Sequence, residues 1–251
     1  MSAYDALAAS YDDLTVDVRY EKRADFIEKL FRRSRIPVHT VLDLACGTGA
    51  MTWLLTARGY ELIAVDGSED MLAAAMSKSG TVEGTAPIFL HQSMPKLDLY
   101  GTVDAAICCL DSLNYLTRPA DVQRTFQRLH LFIAPDGLLV FDINTVEKLA
   151  ALDGQVFLDE TEDTYCVWRT EYRRGLCTYY VDLFRQQPGG TWERDLEVHR
   201  QRAYTVEELT GWLKAAGFGD IRAYGDMVRR SPREGEQRIY FTAIRKEPRK
   251  E

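Results

Sequence analysis

The chain has 251 residues, 46% of them hydrophobic and 27% charged, with a formal net charge of −7 at pH 7. A chain of this length buries about three-quarters of its unfolded surface as one large domain or two small ones, and its acidic balance gives no general field for nucleic acid or an anionic membrane. No apolar stretch approaches the roughly twenty residues of a membrane span, and "MSAYDALAASYDDL" lacks the basic and apolar regions of a signal peptide, so a cytoplasmic location is expected.

Next in the chain, "YEKRADFIEKLFRRS" sets Phe26, Ile27, Leu30 and Phe31 at helical spacing with charge on the other face, the pattern of an amphipathic helix. Strand and helix signals then alternate: "VLDLA", the helix "AMTWLLTARG", "ELIAVD", another helix, "APIFLH", "VDAAICCL", the helix "ADVQRTFQRLHLFI" and "GLLVFDIN". The alternation predicts an α/β fold, a doubly wound Rossmann-like sheet with helices on both faces. From Gln155 the chain changes to the extended runs "QVFLDE", "TYCVWRTEYRR", "CTYYVDLFRQQ" and "TWERDLEVHRQRAY", broken by "RRGL" and "PGG" turns. These predict an inserted antiparallel β-sheet. In "TVEELTGWLKAAGF", Thr205 reads as N-cap, Glu208 as its capping-box partner and Gly217 as the stop, and two strands, "DIRAYG" and "RIYFTAIRK", close the chain. The expected organisation is a core of residues 1–154 and 204–251, and a β-sheet cap of residues 155–203.

The glycine turn in "VLDLACGTGAMT" joins a buried strand to a helix, so Gly47 and Gly49 let a ligand approach the backbone and the positive helix end. Dinucleotide cofactors place a pyrophosphate over such a turn and require a third glycine, where this chain has Thr52. Asp43, inside the strand, would repel that pyrophosphate. S-adenosylmethionine (SAM) instead offers an ammonium for Asp43 and a carboxylate for the helix N-terminus. Asp66, ending the second strand, suits the ribose hydroxyls of any adenosine ligand.

Together, "VLDLACGTG", "AVDGSEDML", "LKAAGF" and the last strand pair resemble the class I SAM-dependent methyltransferases over nearly the whole chain. "CLDSLNYL", "FDIN" and "EVHRQRAYT" look like a bacterial small-molecule-type subgroup whose substrate is mostly unassigned, with a more distant likeness to glycine N-methyltransferase around "LDLACGTG". The resemblance implies a seven-stranded sheet whose last strand is antiparallel, and S-adenosylhomocysteine as the cofactor product. By position it implies that Asp43, Ala45, Cys46, Gly47 and Gly49 hold the methionine end, Asp66 the ribose, and Gly67 and Met71 the adenine side. Gln92, Ser93 and Met94 would flank the adenine, Leu110 would face the cofactor from the fourth strand, and Tyr11 and Tyr20 would come from an N-terminal helical lid. Ala45 stands where many members have glycine, and Ser93 where an aspartate commonly accepts the adenine amino hydrogen, which a serine does less strongly.

Methyl transfer from an activated sulfonium needs alignment, dry surroundings and a deprotonated nucleophile rather than a metal, so none is expected. Asp111 and His199 are the candidate bases, although Asp111 also reads as the cap of the next helix. Asn114, Asn144 and Arg202 are candidate acceptor contacts. Strand alternation puts Glu197, His199 and Gln201 on one face and Arg200 and Arg202 on the other. The five cysteines, odd in number and without paired CxxC spacing, read as reduced structural thiols, and His39, His91 and His130 as structural or surface residues. The expected partner is a small polar metabolite, not nucleic acid or membrane, and the chain a monomer or homodimer. Two alternatives remain open: methylation of tRNA or protein, and SAM binding without turnover. A nicotinamide oxidoreductase is disfavoured by the missing glycine.

Overall fold

The computed structural model describes residues 18–80 and 84–247. In chain order the core holds α1 (Tyr20–Phe31), β1 (Thr40–Leu44), α2 (Ala50–Ala57), β2 (Glu61–Asp66), α3 (Glu69–Ser77), β3 (Ile88–His91), β4 (Val103–Cys108), α4 (Pro119–Phe132), β5 (Ile133–Asn144) and α5 (Val146–Ala151). The antiparallel strands β6 (Val156–Glu160), β7 (Thr164–Arg173), β8 (Leu176–Gln186) and β9 (Trp192–Arg202) follow, then α6 (Val206–Ala215), β10 (Phe218–Tyr224) and β11 (Arg238–Arg245).

The main sheet has the order β10-β11-β5-β4-β1-β2-β3, and β11 runs antiparallel to both of its neighbours. Alternation along β1 explains the two layers. Leu42 and Leu44 enter the cluster built with Phe126 and Leu129 of α4 and Leu209 and Leu213 of α6, whereas Val41 packs with Ile27 and Leu30 of α1 and Leu55 of α2. With both faces covered, the central strands can be apolar throughout. The helical face expected of α1 is the buried one, and the Thr205–Glu208 capping box starts α6.

Strands β6 to β9 form a separate sheet in that order. It lies against the turn after β4 through β9, and against the end of α5, where Thr170 donates to the carbonyls of Leu152 and Gln155. One local expectation is corrected, and one element is added. β4 stops at Cys108, so Leu110 lies beyond the strand on a turn with φ 57° and Asp111 follows with φ 52°. The segment after "FDIN" is helical: Thr145 caps α5 by accepting from Lys148 N–H, but six residues are too few to show a helical period in sequence. Among the described residues no helix is long and apolar enough to cross a membrane.

Candidate cofactor and acceptor site

A cavity of about 320 Å³ opens at the carboxyl ends of β1, β2 and β4, the edge where open α/β sheets bind ligands. One wall is the loop after β1. Ala45, Gly47 and Gly49 have φ of 61°, 55° and 74° and turn the chain from β1 into α2, while Cys46 N–H still donates to Val65 O of β2 at 3.0 Å. A Cβ on Gly47 or Gly67 would meet nothing within 4 Å, because both face open space. Gly49 differs from the expectation. A Cβ there would lie 2.9 Å from Ala75 Cβ, so this glycine lets the loop pack on α3 rather than admitting a ligand.

Two carboxylates sit beneath the loop. Asp43 is 2% exposed, and it accepts from the Thr52 hydroxyl of α2 at 2.5 Å. Burial pushes its carboxyl up to about 7; the Thr52 hydrogen bond opposes the rise and the charge of Asp66 adds to it. Asp66 accepts from Gly47 N–H at 2.8 Å and from Ser68 N–H at 2.9 Å. Burial raises its carboxyl too, against the backbone N–H groups of Ser68, Gly47 and Gly67. Among the described residues the lining includes no Lys, Arg or His. The cavity therefore favours a cationic ligand end and disfavours a pyrophosphate.

Tyr20, Cys46, Met71, Gln92, Ser93, Met94 and Leu110 line this same cavity, together with Met51, Ser112, Tyr115 and Leu116. Tyr11 lies outside the described residues. The Gln92 amide is engaged with the main chain of Asp98, donating to its carbonyl at 3.0 Å and accepting from its N–H at 2.8 Å, so it shapes the loop beside the cavity. Burial pushes the Cys46, Cys108 and Cys109 thiols well up, which leaves them protonated and inert as nucleophiles.

The remaining candidates gather behind the Leu110–Asp111 turn. Asp111 makes no helix cap. Instead Arg238 of β11 donates to Asp111 Oδ1 at 2.6 Å and Gln201 of β9 donates to Asp111 Oδ2 at 2.5 Å. Arg238 also donates to Asp142, whose carboxylate accepts from the N–H groups of Leu110 and Asp111 at 2.9 and 3.1 Å. Asn114 is fully buried and bridges main chain: its amide donates to Asn144 O and Arg202 O, and its oxygen accepts from Asn144 N–H. The Asn144 side chain donates to Gln201 Oε1, which also accepts from the Tyr179 hydroxyl, and accepts from Lys148.

Glu197, His199 and Gln201 share the inward face of β9, and Glu197 Oε2 lies 2.8 Å from His199 Nε2. The His199 ring, 1% exposed, meets Tyr115 edge-on and tilts against Trp168, so it sits one side chain back from the cavity. Arg202 lies over the Tyr204 ring. Thr52, Asp142, Gln201 and Arg238 were not among the candidates read from the sequence.

Comparison with known proteins agrees with this geometry. The model of a methyltransferase domain family matches residues 41–137. YqeM of Bacillus subtilis, whose own methyltransferase name is provisional, is 34% identical over 245 residues, covering 96% of each chain. A glycine/sarcosine N-methyltransferase of Halorhodospira halochloris is 25% identical, covering 87% of this chain and 82% of its own. A solved SAM-dependent methyltransferase from Clostridium acetobutylicum superposes with a TM-score of 0.86 at 27% identity, covering 97% and 99% of the two chains. With sheet order, buried carboxylate pair and full-length likeness in agreement, the chain belongs to the class I SAM-dependent methyltransferases.

Proposed function

We propose that this enzyme methylates a small polar metabolite, with an amine nitrogen as the preferred acceptor atom. The observation that carries the reading is the lining of the cavity, which holds Asp43 and Asp66 and, among the described residues, no Lys, Arg or His to grip a nucleic-acid phosphate. The cap stands beside it, packing through β9 on the turn after β4, where Asn114 donates to Arg202 O. The names of the glycine/sarcosine relatives favour nitrogen.

In this reading the loop from Ala45 to Gly47 and Asp43 hold the methionine end of SAM, Asp66 its ribose, and Gly67, Met71, Gln92, Ser93 and Met94 its adenine side, with Tyr20 covering the open edge. Bound SAM supplies an electrophilic methyl group on a sulfonium. The apolar walls from Met51, Leu110 and Leu116 exclude water from that end, and Ser112 and Tyr115 face the acceptor. Asp111, fixed by Arg238 and Gln201, stands behind the Leu110 wall and His199 behind Tyr115, so both act by setting the walls that orient the acceptor, and the proton carried by the methylated ammonium leaves to water. Residues 155–203 select the substrate.

Labelled SAM incubated with the protein and a fractionated cell extract tests the proposal. Label is expected in the small-molecule fraction. Label confined to tRNA, rRNA or protein, or binding with no transfer at all, would overturn it.

The Asp43 carboxyl, raised to about 7 without a cation beside it, makes cofactor affinity depend on pH. An ammonium selects the ionised form, so SAM affinity should fall as pH drops through about 7, approaching one decade per pH unit, and level off above it. For folding the sign is opposite. A carboxyl raised above its usual 3.8 contributes stability that is complete below 3.8 and is lost as pH rises through about 7. Titration calorimetry between about pH 5.5 and pH 8.5 checks the binding limb, and Asp43→Asn should flatten it.

A further inference from the structure

We infer that Asp142 is a positioning residue for methyl transfer: its carboxylate holds the Leu110–Asp111 turn in the conformation that forms the wall of the cofactor cavity. The inference rests on the reading of that cavity as the SAM site. Leu110 and Asp111 both have positive φ, 57° and 52°. Side chains with a Cβ are disfavoured there, a branched leucine more than an aspartate, so the pair persists only if its surroundings fix it.

Asp142 provides that fixing with both oxygens. Oδ1 accepts from Leu110 N–H at 2.9 Å and Oδ2 from Asp111 N–H at 3.1 Å. Asp142 is itself fully buried in β5, between β4 and β11, and is held by Arg238, which also grips Asp111. Leu110 lines the cavity and Asp111 does not. The strained residue facing the ligand is thus fixed through its backbone, by a group that never touches the ligand. β4 and β5 pair as far as Cys108 and Phe141, so Asp142 is the next residue on β5 and the turn is where pairing ends.

The test combines amide hydrogen exchange with SAM binding in the full-length protein carrying Asp142→Ala, with Asp142→Asn as the milder variant should the first fold poorly. The amide of Asn keeps one acceptor oxygen. Expected is fast exchange at residues 110 and 111 with protection retained in β1, β4 and β5, and a dissociation constant for SAM raised about tenfold in Asp142→Ala and less in Asp142→Asn. Fast exchange at the two amides with unchanged SAM affinity would overturn the inference. So would loss of protection throughout the sheet, which would make Asp142 a general support of the core. If the cavity were not the SAM site, Asp66→Ala would leave affinity intact as well; if only this inference fails, Asp66→Ala still lowers it.

Discussion

Asp66→Ala is expected to remove most of the affinity for SAM, raising the dissociation constant by about a hundredfold or more in a folded protein. The carboxylate ends β2 and is already organised: Gly47 N–H and Ser68 N–H hold one oxygen each at 2.8 and 2.9 Å. Asp66 lines the cavity, and a carboxylate has the lone pairs for two vicinal hydroxyls to donate to a fixed charged acceptor. Hydrogen bonds to a charged group contribute about 1.5–3 kcal/mol each, and two of them account for about 3–6 kcal/mol. Each 1.4 kcal/mol is about a factor of ten. Alanine also frees the Gly47 N–H, which loosens the loop after β1. Calorimetry at fixed pH is the measurement, with the thermal midpoint as control for folding. An unchanged dissociation constant in a folded variant would remove Asp66 from the ribose.

The cofactor wall was legible because it is local. A buried strand, a glycine turn and a helix follow one another within "VLDLACGTGAMT", and Asp66 closes the neighbouring strand. Gly47 and Gly49 look alike in sequence, and only the contact of Gly49 with Ala75 on α3 separates a packing glycine from one that faces open space. Thr52 was read as a missing glycine, yet its hydroxyl is the donor to Asp43. A threonine in the first turn of α2 has that reach because Asp43, like Val41, points to the α2 face of the sheet.

The acceptor side was less legible because its contacts are distant in sequence. Asp111 followed by a short polar turn looks like a helix cap, but a left-handed φ turns the residue and its carboxylate meets Arg238, 127 positions away. Alternation along β9 did place Glu197, His199 and Gln201 on one face. It carried no information on which face lies over Tyr115 and Asp111, since that depends on how the inserted sheet seats on the core. Polar residues read as pocket lining, Asn114 and Asn144, spend their amides on main chain and on Gln201. They hold the seat of the cap.

Arg238→Met should be the most destabilising single change at the site, costing about 3–5 kcal/mol, because it leaves a buried ion cluster without its cation. Arg238 is 11% exposed, Asp111 15% and Asp142 not at all. Burial alone would lower the pull of the guanidinium on its proton, and the charges of Asp111 and Asp142 outweigh that, so the group stays charged at any working pH. Without it, two carboxylates share one poorly solvated space, and the N–H groups of Leu110 and Asp111 with the Gln201 amide offset only part of their repulsion. The loss is not that of one exposed salt bridge, for which about 0–1 kcal/mol would be expected. Chemical denaturation of the single variant measures it, and pairing with Asp111→Asn separates the cause. If electrostatic repulsion dominates, removing one of the two charges should recover a good part of the lost stability, giving a coupling energy above about 1 kcal/mol. Simple addition of the two losses would instead mean that Arg238 matters through the packing of its aliphatic stem.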